Sequence, residues 1–417
     1  MSASSHHQKW QISETEREIY RQRSQASSLA KAKAMRGEGK QPIHPINQPR
    51  LNPETLMPQQ PNNGWKTLSL FSGGGGLDLG FEQAGYTHVA SYDILPEAGI
   101  TLHQNRPQWQ IFAGETGDVT KIDWRPYRGM VDVIQGGPPC QPFSIAGRQK
   151  GQDDSRDMFP QFIRAILEIE PQVFIAENVP ALVGKKFSQY VREIIEQPLA
   201  GKYHWTKFIL QAPDFGIPQV RQRVFFVGFR DAKIAAKYQP PKPTHTWEHL
   251  AKNQRQQGDK SSGARQPVQL NLFSAAPKPL NLCMGVREAL GLPDIGFDTL
   301  APTIRSALTG PRHTTSVLSS VSAQKTWEKL QIWQNGVAVN REKARLFVAE
   351  NGHFRLSVAD CAIIQGFPDA WQIHGAVYMA LGQIGNAVPP PLAYHIALSV
   401  ANLLRMRNGG LETGFLR

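Results

Sequence analysis

The stretch LSLFSGGGGLDLGFEQAG (residues 68–85) decides how the rest of the chain reads. A short apolar run passes through four glycines into a segment with helix-forming composition. Glycine tolerates left-handed backbone and lets a ligand approach the main chain closely. A strand, a glycine turn and a helix start therefore suit a ligand site, with a merely tight connection as the plainer alternative. The spacing G-x-G-x-x-G fails in every register, because Asp78 or Leu79 stands where the last glycine is needed. That argues against a nicotinamide dinucleotide.

The same texture continues outward. KTLSLF (66–71), HVASYDI (88–94), VDVIQGG (131–137), PQVFIAENV (171–179) and RVFFVGF (223–229) are short apolar runs separated by helix-compatible segments. Such alternation predicts an α/β fold with a parallel sheet covered on both faces, and ligands beyond the carboxyl ends of the strands. Asp93 ends the second run about 20 residues after the glycine turn, where a carboxylate accepts from ribose hydroxyls. Ile94 beside it offers a surface for a purine, and Asp118 follows near the end of a third strand. Each aspartate alone also suits a cap or a turn. In this order they point to an adenosine-bearing cofactor without a phosphate clamp.

The third run leads into DVIQGGPPCQPFS (132–144). Cys140 sits there in a turn, stiffened by Pro138 and Pro139, rather than inside an apolar run as Cys361 does in DCAII. A thiol held on a rigid loop at a strand end reads as a nucleophile. The next run ends in Glu177 and Asn178, and a carboxyl beside a cysteine can serve as a general acid or read a base edge. Gln219, Arg221 and Arg223 alternate before the last run, which puts them on one side of an extended chain; a solvated strand edge is the alternative.

The bulk composition agrees with a polyanionic partner. The 417 residues carry 46 Lys and Arg against 34 Asp and Glu, a net charge of +12. A basic surface favours nucleic acid, although composition alone leaves a generically basic protein equally open. Three separated cysteines provide neither a disulfide framework nor a zinc site, and suit a reducing compartment. With no signal core and no bilayer-length apolar run, the sequence reads as soluble, cytoplasmic and free of membrane. Residues 1–64 are expected to form a loosely ordered tail and linker, rich in basic residues and then in Pro, Asn and Gln, with a nucleic-acid-binding or regulatory arm as the alternative. Order is expected to lapse again between about Tyr238 and Asn281, and RLSVADCAIIQGFPDAW (355–371) predicts a helix capped by Ser357 and Asp360 and closed by Gly366. A strongly apolar helix is expected to follow IGNAVPPP and pack on the sheet.

Taken together, LFSGGGGLDLGFEQAG, GGPPCQPFSIAGRQ, ENV, QVRQR, RLSVADCAIIQGFPDAW and QIGNAVPPP, in this order, resemble the DNA cytosine-5 methyltransferases of prokaryotic restriction–modification systems. The resemblance covers residues 66–404. It implies a Rossmann-like S-adenosyl-L-methionine-dependent methyltransferase domain over 65–240 and a smaller target-recognition domain over 241–371. A segment returning to the first domain (372–405) and a tail (406–417) would follow. It implies double-stranded DNA as partner and a cytosine swung out of the duplex into the cleft. Cys140 matches the family nucleophile, Glu177 the group holding ring nitrogen 3 and the amino group, and Arg221 and Arg223 the paired arginines. Phe71, Gly73, Gly76, Asp93, Ile94, Asp118, Pro138, Asn386 and Val388 match the cofactor contacts. A monomer, and an endonuclease sharing the recognition site, are family-level expectations; no metal is implied.

The chain departs from the family at DIL (93–95), where an aromatic and a second carboxylate often follow an acidic first residue, which weakens the expected grip on the cofactor. In the variable region, Arg305, Arg312 and His313 in TIRSALTGPRHTT are candidates for DNA contact, with Gln219, against a solvated basic loop. The transfer-RNA branch of the fold carries a Cys-Phe-Thr near the carboxylate motif, which AENVPALVGKK lacks. An inactive DNA-binding homologue is opposed by the presence of both Cys140 and Glu177.

Overall fold

A computed structural model describes residues 44–139, 157–250, 279–306, 315–317, 319–346 and 352–407, with Glu14, Glu18, Leu29 and Phe143 in addition. Its centre is a seven-stranded sheet in the order β3-β2-β1-β4-β5-β7-β6. The strands are β1 (Lys66–Leu70), β2 (Thr87–Asp93), β3 (Ile111–Ala113), β4 (Val133–Gly136), β5 (Val173–Asn178), β6 (His204–Gln211) and β7 (Gln222–Phe229). The first five are parallel to one another, as the alternating pattern predicts. The sheet is mixed, however: β7 runs antiparallel to both β5 and β6. The short connection between β6 and β7, built on the tight turn Ala212–Phe215, contains no crossover helix, and only an antiparallel return fits so short a link. Strand β6 has no counterpart among the apolar runs of the sequence; it is an edge strand with no clean apolar alternation.

The helices cover both faces. Helix α1 (Gly76–Gln83) follows the glycine turn, α2 (Pro96–Asn105) follows β2, and α3 (Phe159–Ile169) precedes β5. Phe159, Phe162, Ile163, Ile166 and Ile169 recur at helical spacing on α3 and bury against Leu68, Leu70, Ile134 and Phe174. On the other face Leu77 and Phe81 of α1 meet Val133, Ile175 and Val227.

The rest of the described chain adds α4 (Val321–Lys329), a parallel pair of strands β8 (Ile332–Ala338) and β9 (Phe354–Ser357), and α5 (Val358–Gln365). Trp327 of α4 is fully buried. Helix α5 carries the expected reciprocal cap between Ser357 and Asp360 and ends at Gly366 in the left-handed region. The apolar C-terminal stretch forms α6 (Val377–Asn386) and α7 (Pro390–Arg407). Helix α7 lies along α1, and its buried Ile396, Val400 and Leu404 join one apolar cluster with Ile175, Val227 and Phe229 of the sheet, as expected. The helical stretch Val377–Met406 has the length and composition to cross a bilayer, but 78% of its most apolar window is buried inside the protein.

Residues 44–64 correct the linker expectation. Met57 is fully buried, and Leu51 and Pro53 lie inside the fold. Backbone N–H groups of Arg50 and Leu51 donate to Ala289, that of Gln60 to Gln83, and that of Asn63 to Gly85. The segment is an ordered strap, held by a few buried apolar side chains and by backbone hydrogen bonds rather than by an apolar period.

Candidate active site

The glycine turn is shaped by backbone that few residues tolerate. Phe71, Gly73 and Gly75 have φ of 59°, 53° and 84°. A Cβ at Gly76 would overlap the Val388 carbonyl, so the turn and the closing QIGNAVPPP segment touch main chain to main chain. Asp93, at the end of the neighbouring strand, accepts from the Gly73 N–H at 2.7 Å and from the Leu95 N–H at 2.8 Å. Burial raises its pKa from the ordinary carboxylate value, and the two N–H groups oppose that rise. Each of its oxygens retains acceptor capacity for a hydroxyl.

Ile94 beside Asp93 is 56% exposed, an uncovered apolar face at the same strand end. Asp118 is close by, since a Cβ at Gly117 would overlap the Asp93 carbonyl. The Asp118 carboxylate already accepts from the Thr120 N–H and hydroxyl and pairs with Lys121 at 3.2 Å, contacts that hold its pKa down. Asn386 is exposed and Val388 buried. Shallow main chain at the glycines, a carboxylate anchored at its foot and an exposed apolar residue beside it fit an adenosine-bearing ligand.

Several residues that build this pocket are not marked as site residues by the sequence. The Trp371 indole N–H donates to the Gly74 carbonyl at 3.0 Å, and its ring closes on Gly75. Thr101 of α2 donates to Gln383 of α6 at 2.7 Å. Both Trp371 and Gln383 stand in quoted motifs, but only long-range contact reveals what they touch. Beneath the turn, Ser91 donates to Asp78 at 2.6 Å, His88 meets Ser91 at 2.7 Å, and His88 stacks on Trp109.

At the adjacent strand ends, β4 and β5 are in register, with Gly136 beside Ala176. Cys140 lies outside the described residues, as do Arg312 and His313. The start of its loop is described: Asn178 donates to the Pro138 carbonyl at 3.0 Å, and a Cβ at Gly137 would press on the Glu177 carboxylate. Glu177 is 6% exposed and pairs with Arg223 at 2.6 Å. Burial raises its pKa, with Arg223 and then Arg221 opposing the rise. A buried carboxyl poised between desolvation and two cations can hold a proton or a hydrogen bond at a ring nitrogen.

Arg221 is buried and donates to the Gly385 and Ala387 carbonyls, each at 2.8 Å, bracketing Asn386. Gln219, expected to reach DNA, is corrected by the structure. It is fully buried, donates to the Ile364 carbonyl and Gln365, and accepts from the Ile304 N–H. Its carboxamide is spent on internal partners. Arg305 is exposed, and its backbone crosses Gly385 closely.

The family of C-5 cytosine-specific DNA methylases matches residues 65–402. Among curated proteins, the chain is 32% identical over 343 residues to the Type II methyltransferase M.NgoMIV of Neisseria gonorrhoeae, covering 82% of this chain and 99% of that protein. It is 31% identical to the Type II methyltransferase M.Eco47II of Escherichia coli, over 82% of this chain and 80% of that protein. A solved structure titled as a prophage-encoded DNA modification methyltransferase of E. coli superposes with a TM-score of 0.51 at 23% identity, covering 82% of this chain and 99% of that one; the likeness shows the α/β Rossmann-like fold. A match across the sheet, the glycine turn, the cysteine loop and the closing helices leaves one assignment: the chain belongs to the C-5 cytosine-specific DNA methylases, which methylate cytosine in DNA with S-adenosylmethionine as methyl donor.

Proposed function

We propose that this chain methylates carbon 5 of a cytosine extruded from duplex DNA at a specific site, within a restriction–modification system, through a transient bond from Cys140 to carbon 6. The observation that carries the reading is the buried Glu177, paired with Arg223 at 2.6 Å and set against Gly137 in the loop that leads to Cys140. A carboxyl there meets the Watson–Crick edge of a base whose carbon 6 faces the cysteine.

In this reading the Cys140 thiolate adds to carbon 6, while Glu177, its pKa raised by burial, holds a proton at ring nitrogen 3 and accepts from the amino group. The ring's electron pair then resides at carbon 5, as in an enamine. Bound at the glycine turn, S-adenosylmethionine supplies an electrophilic methyl group. A base removes the carbon-5 proton, the carbon–sulfur bond breaks, and Cys140 is freed. Splitting one step into addition and elimination lowers each barrier, and a thiol serves both as nucleophile and as leaving group. Phe71, Gly73 and Gly76 line the methionine end of the cofactor with Pro138, Asn386 and Val388. Asp93 takes the ribose hydroxyls, Ile94 the adenine face and Asp118 the adenine amine. Arg223 holds Glu177 ready, and Arg221 fixes the turn at Asn386. Residues 241–371 read the recognition sequence, with Arg305, Arg312 and His313 as DNA contacts.

The test is duplex DNA carrying 5-fluorocytosine in place of cytosine, incubated with the protein and S-adenosylmethionine. Fluorine cannot leave as a proton does, so the expected result is a covalent complex mapping to Cys140 and absent in Cys140→Ala, which still binds cofactor. Undiminished methyl transfer by Cys140→Ala would overturn the mechanism.

A further inference from the structure

We propose that the strap at residues 44–64 is a positioning device for DNA: it fixes the recognition residues against the catalytic sheet and so sets affinity for the substrate duplex. The inference rests on the functional reading above, because it takes residues 241–371 as the part that reads DNA. The family match begins at residue 65, so the strap precedes the region that the family shares.

The strap has two ends with different partners. At its C-terminal end it is bound to the catalytic layer. The Tyr394 hydroxyl of α7 donates to the Pro58 carbonyl at 2.8 Å, and the Gln60 and Asn63 N–H groups donate to Gln83 and Gly85 beside α1. A Cβ at Gly85 would overlap the Pro61 carbonyl, so the chain lies directly on the main chain there. At its N-terminal end it is bound to the other part. His44 meets the Gly352 carbonyl at 2.9 Å, and Asn47 donates to the Leu290 carbonyl at 3.1 Å. A Cβ at Gly291 would overlap the Gln48 carbonyl. Between the two ends, Leu56 lies against Gly216, in the turn that feeds the arginine segment.

Asn47 makes the contact through which this attachment reaches the site. Its side chain is buried and donates at 3.0 Å to Asp360, a fully buried carboxylate. Asp360 also accepts from Arg341 at 2.9 Å and from the Ser357 N–H at 2.8 Å, and so holds the first turn of α5. The last residue of that helix, Gln365, meets Gln219 at 2.8 Å and donates to the Ala387 carbonyl at 2.6 Å. One rigid helix of 8 residues thus runs from the strap to Gln219, which accepts from the Ile304 N–H beside the exposed Arg305. A buried carboxylate that loses a donor shifts its surroundings to recover one, and the surroundings here include the first turn of α5.

The experiment compares the full-length protein with Asn47→Asp, which sets a second carboxylate against Asp360, and with Asn47→Ala, which only removes the donor. The readouts are KM for DNA, kcat at saturating DNA, affinity for S-adenosylmethionine, and the thermal midpoint. The expected result is a KM for DNA raised by about ten-fold in Asn47→Asp and less in Asn47→Ala, the scale of one hydrogen bond to a charged group. Cofactor affinity and kcat should stay within about two-fold. A lowered thermal midpoint with unchanged KM in Asn47→Ala would make the strap a staple of the fold alone and overturn the proposal. Parallel losses of DNA and cofactor affinity would also overturn it, since the strap would then act on the whole site. Absence of methyl transfer by the unaltered protein would instead sink the functional reading itself.

Discussion

Asp78 and His88 face each other under the glycine turn, with His88 Nε2 3.8 Å from Asp78 Oδ1. Burial moves both toward neutrality: Asp78 rises to about 6, its hydrogen bond from Ser91 opposing, and His88 falls to about 4. The two act on stability with opposite sign. Between the unfolded and folded values of Asp78, the native state keeps a proton that the unfolded chain has shed, so stability falls as pH rises from about 4 to 6. His88 in the native state excludes a proton that the unfolded chain binds below its ordinary value, so over the same window stability rises with pH. The pair cancels, and single substitutions should expose each half. A tenfold difference in proton affinity between the folded and unfolded states is worth about 1.4 kcal/mol. His88→Gln is therefore expected to lose on the order of 2 kcal/mol between pH 4 and pH 6, and Asp78→Asn to gain a similar amount. Urea midpoints at both pH values check the signs; the same slope in both variants would refute the pairing. In the sequence, Asp78 is legible only as the residue that spoils a dinucleotide spacing, and His88 not at all. What makes them partners is the register that sets Ser91 of β2 beside Ser69 of β1, under α1.

Among the elements, α1 depends on an absent side chain. A Cβ at Gly80 would meet the Pro390 carbonyl at 2.6 Å and the Tyr394 nitrogen at 2.7 Å, both at the start of α7. Backbone cannot give way as a flexible side chain can, so Gly80→Ala is expected to cost about 1–3 kcal/mol, the usual range for overpacking. The helix propensity of alanine works the other way by only about 1 kcal/mol. Thermal unfolding reads the result, and an unchanged or raised midpoint would show that α7 shifts freely. The caps and strands of this layer are largely readable in the sequence, because capping boxes, glycine stops and apolar runs are local signals. Strand β6 is not, since its exposed edge needs no alternation and its partner is fixed by β7. The antiparallel direction of β7 is equally hidden: an apolar run reports burial, not direction.

For the molecule as a whole, Arg221 shows how the site is closed. Its motif marks it only as one of the family's paired arginines. Buried and donating to the carbonyls on either side of Asn386, it also holds the segment that touches the glycine turn. Arg221→Met is therefore expected to weaken S-adenosylmethionine binding as well as methyl transfer. The Ala387 carbonyl keeps Gln365, but leaving the Gly385 carbonyl without its donor costs roughly 1–3 kcal/mol, or about ten-fold or more in affinity. Calorimetric titration of the variant with cofactor tests this; unchanged affinity would confine Arg221 to the DNA side. The sequence by itself determined the family, through the glycine turn, Asp93, the cysteine loop, Glu177 and the two arginines, each signalled by residue type beside a strand terminus. Only the tertiary structure decided that Gln219 is internal, that Arg221 braces the segment lying on the glycine turn, and that residues 44–64 form a strap. Those outcomes depend on partners far along the chain, such as Gly385 for Arg221 and Asp360 for Asn47, and spacing within a motif carries no information about such contacts.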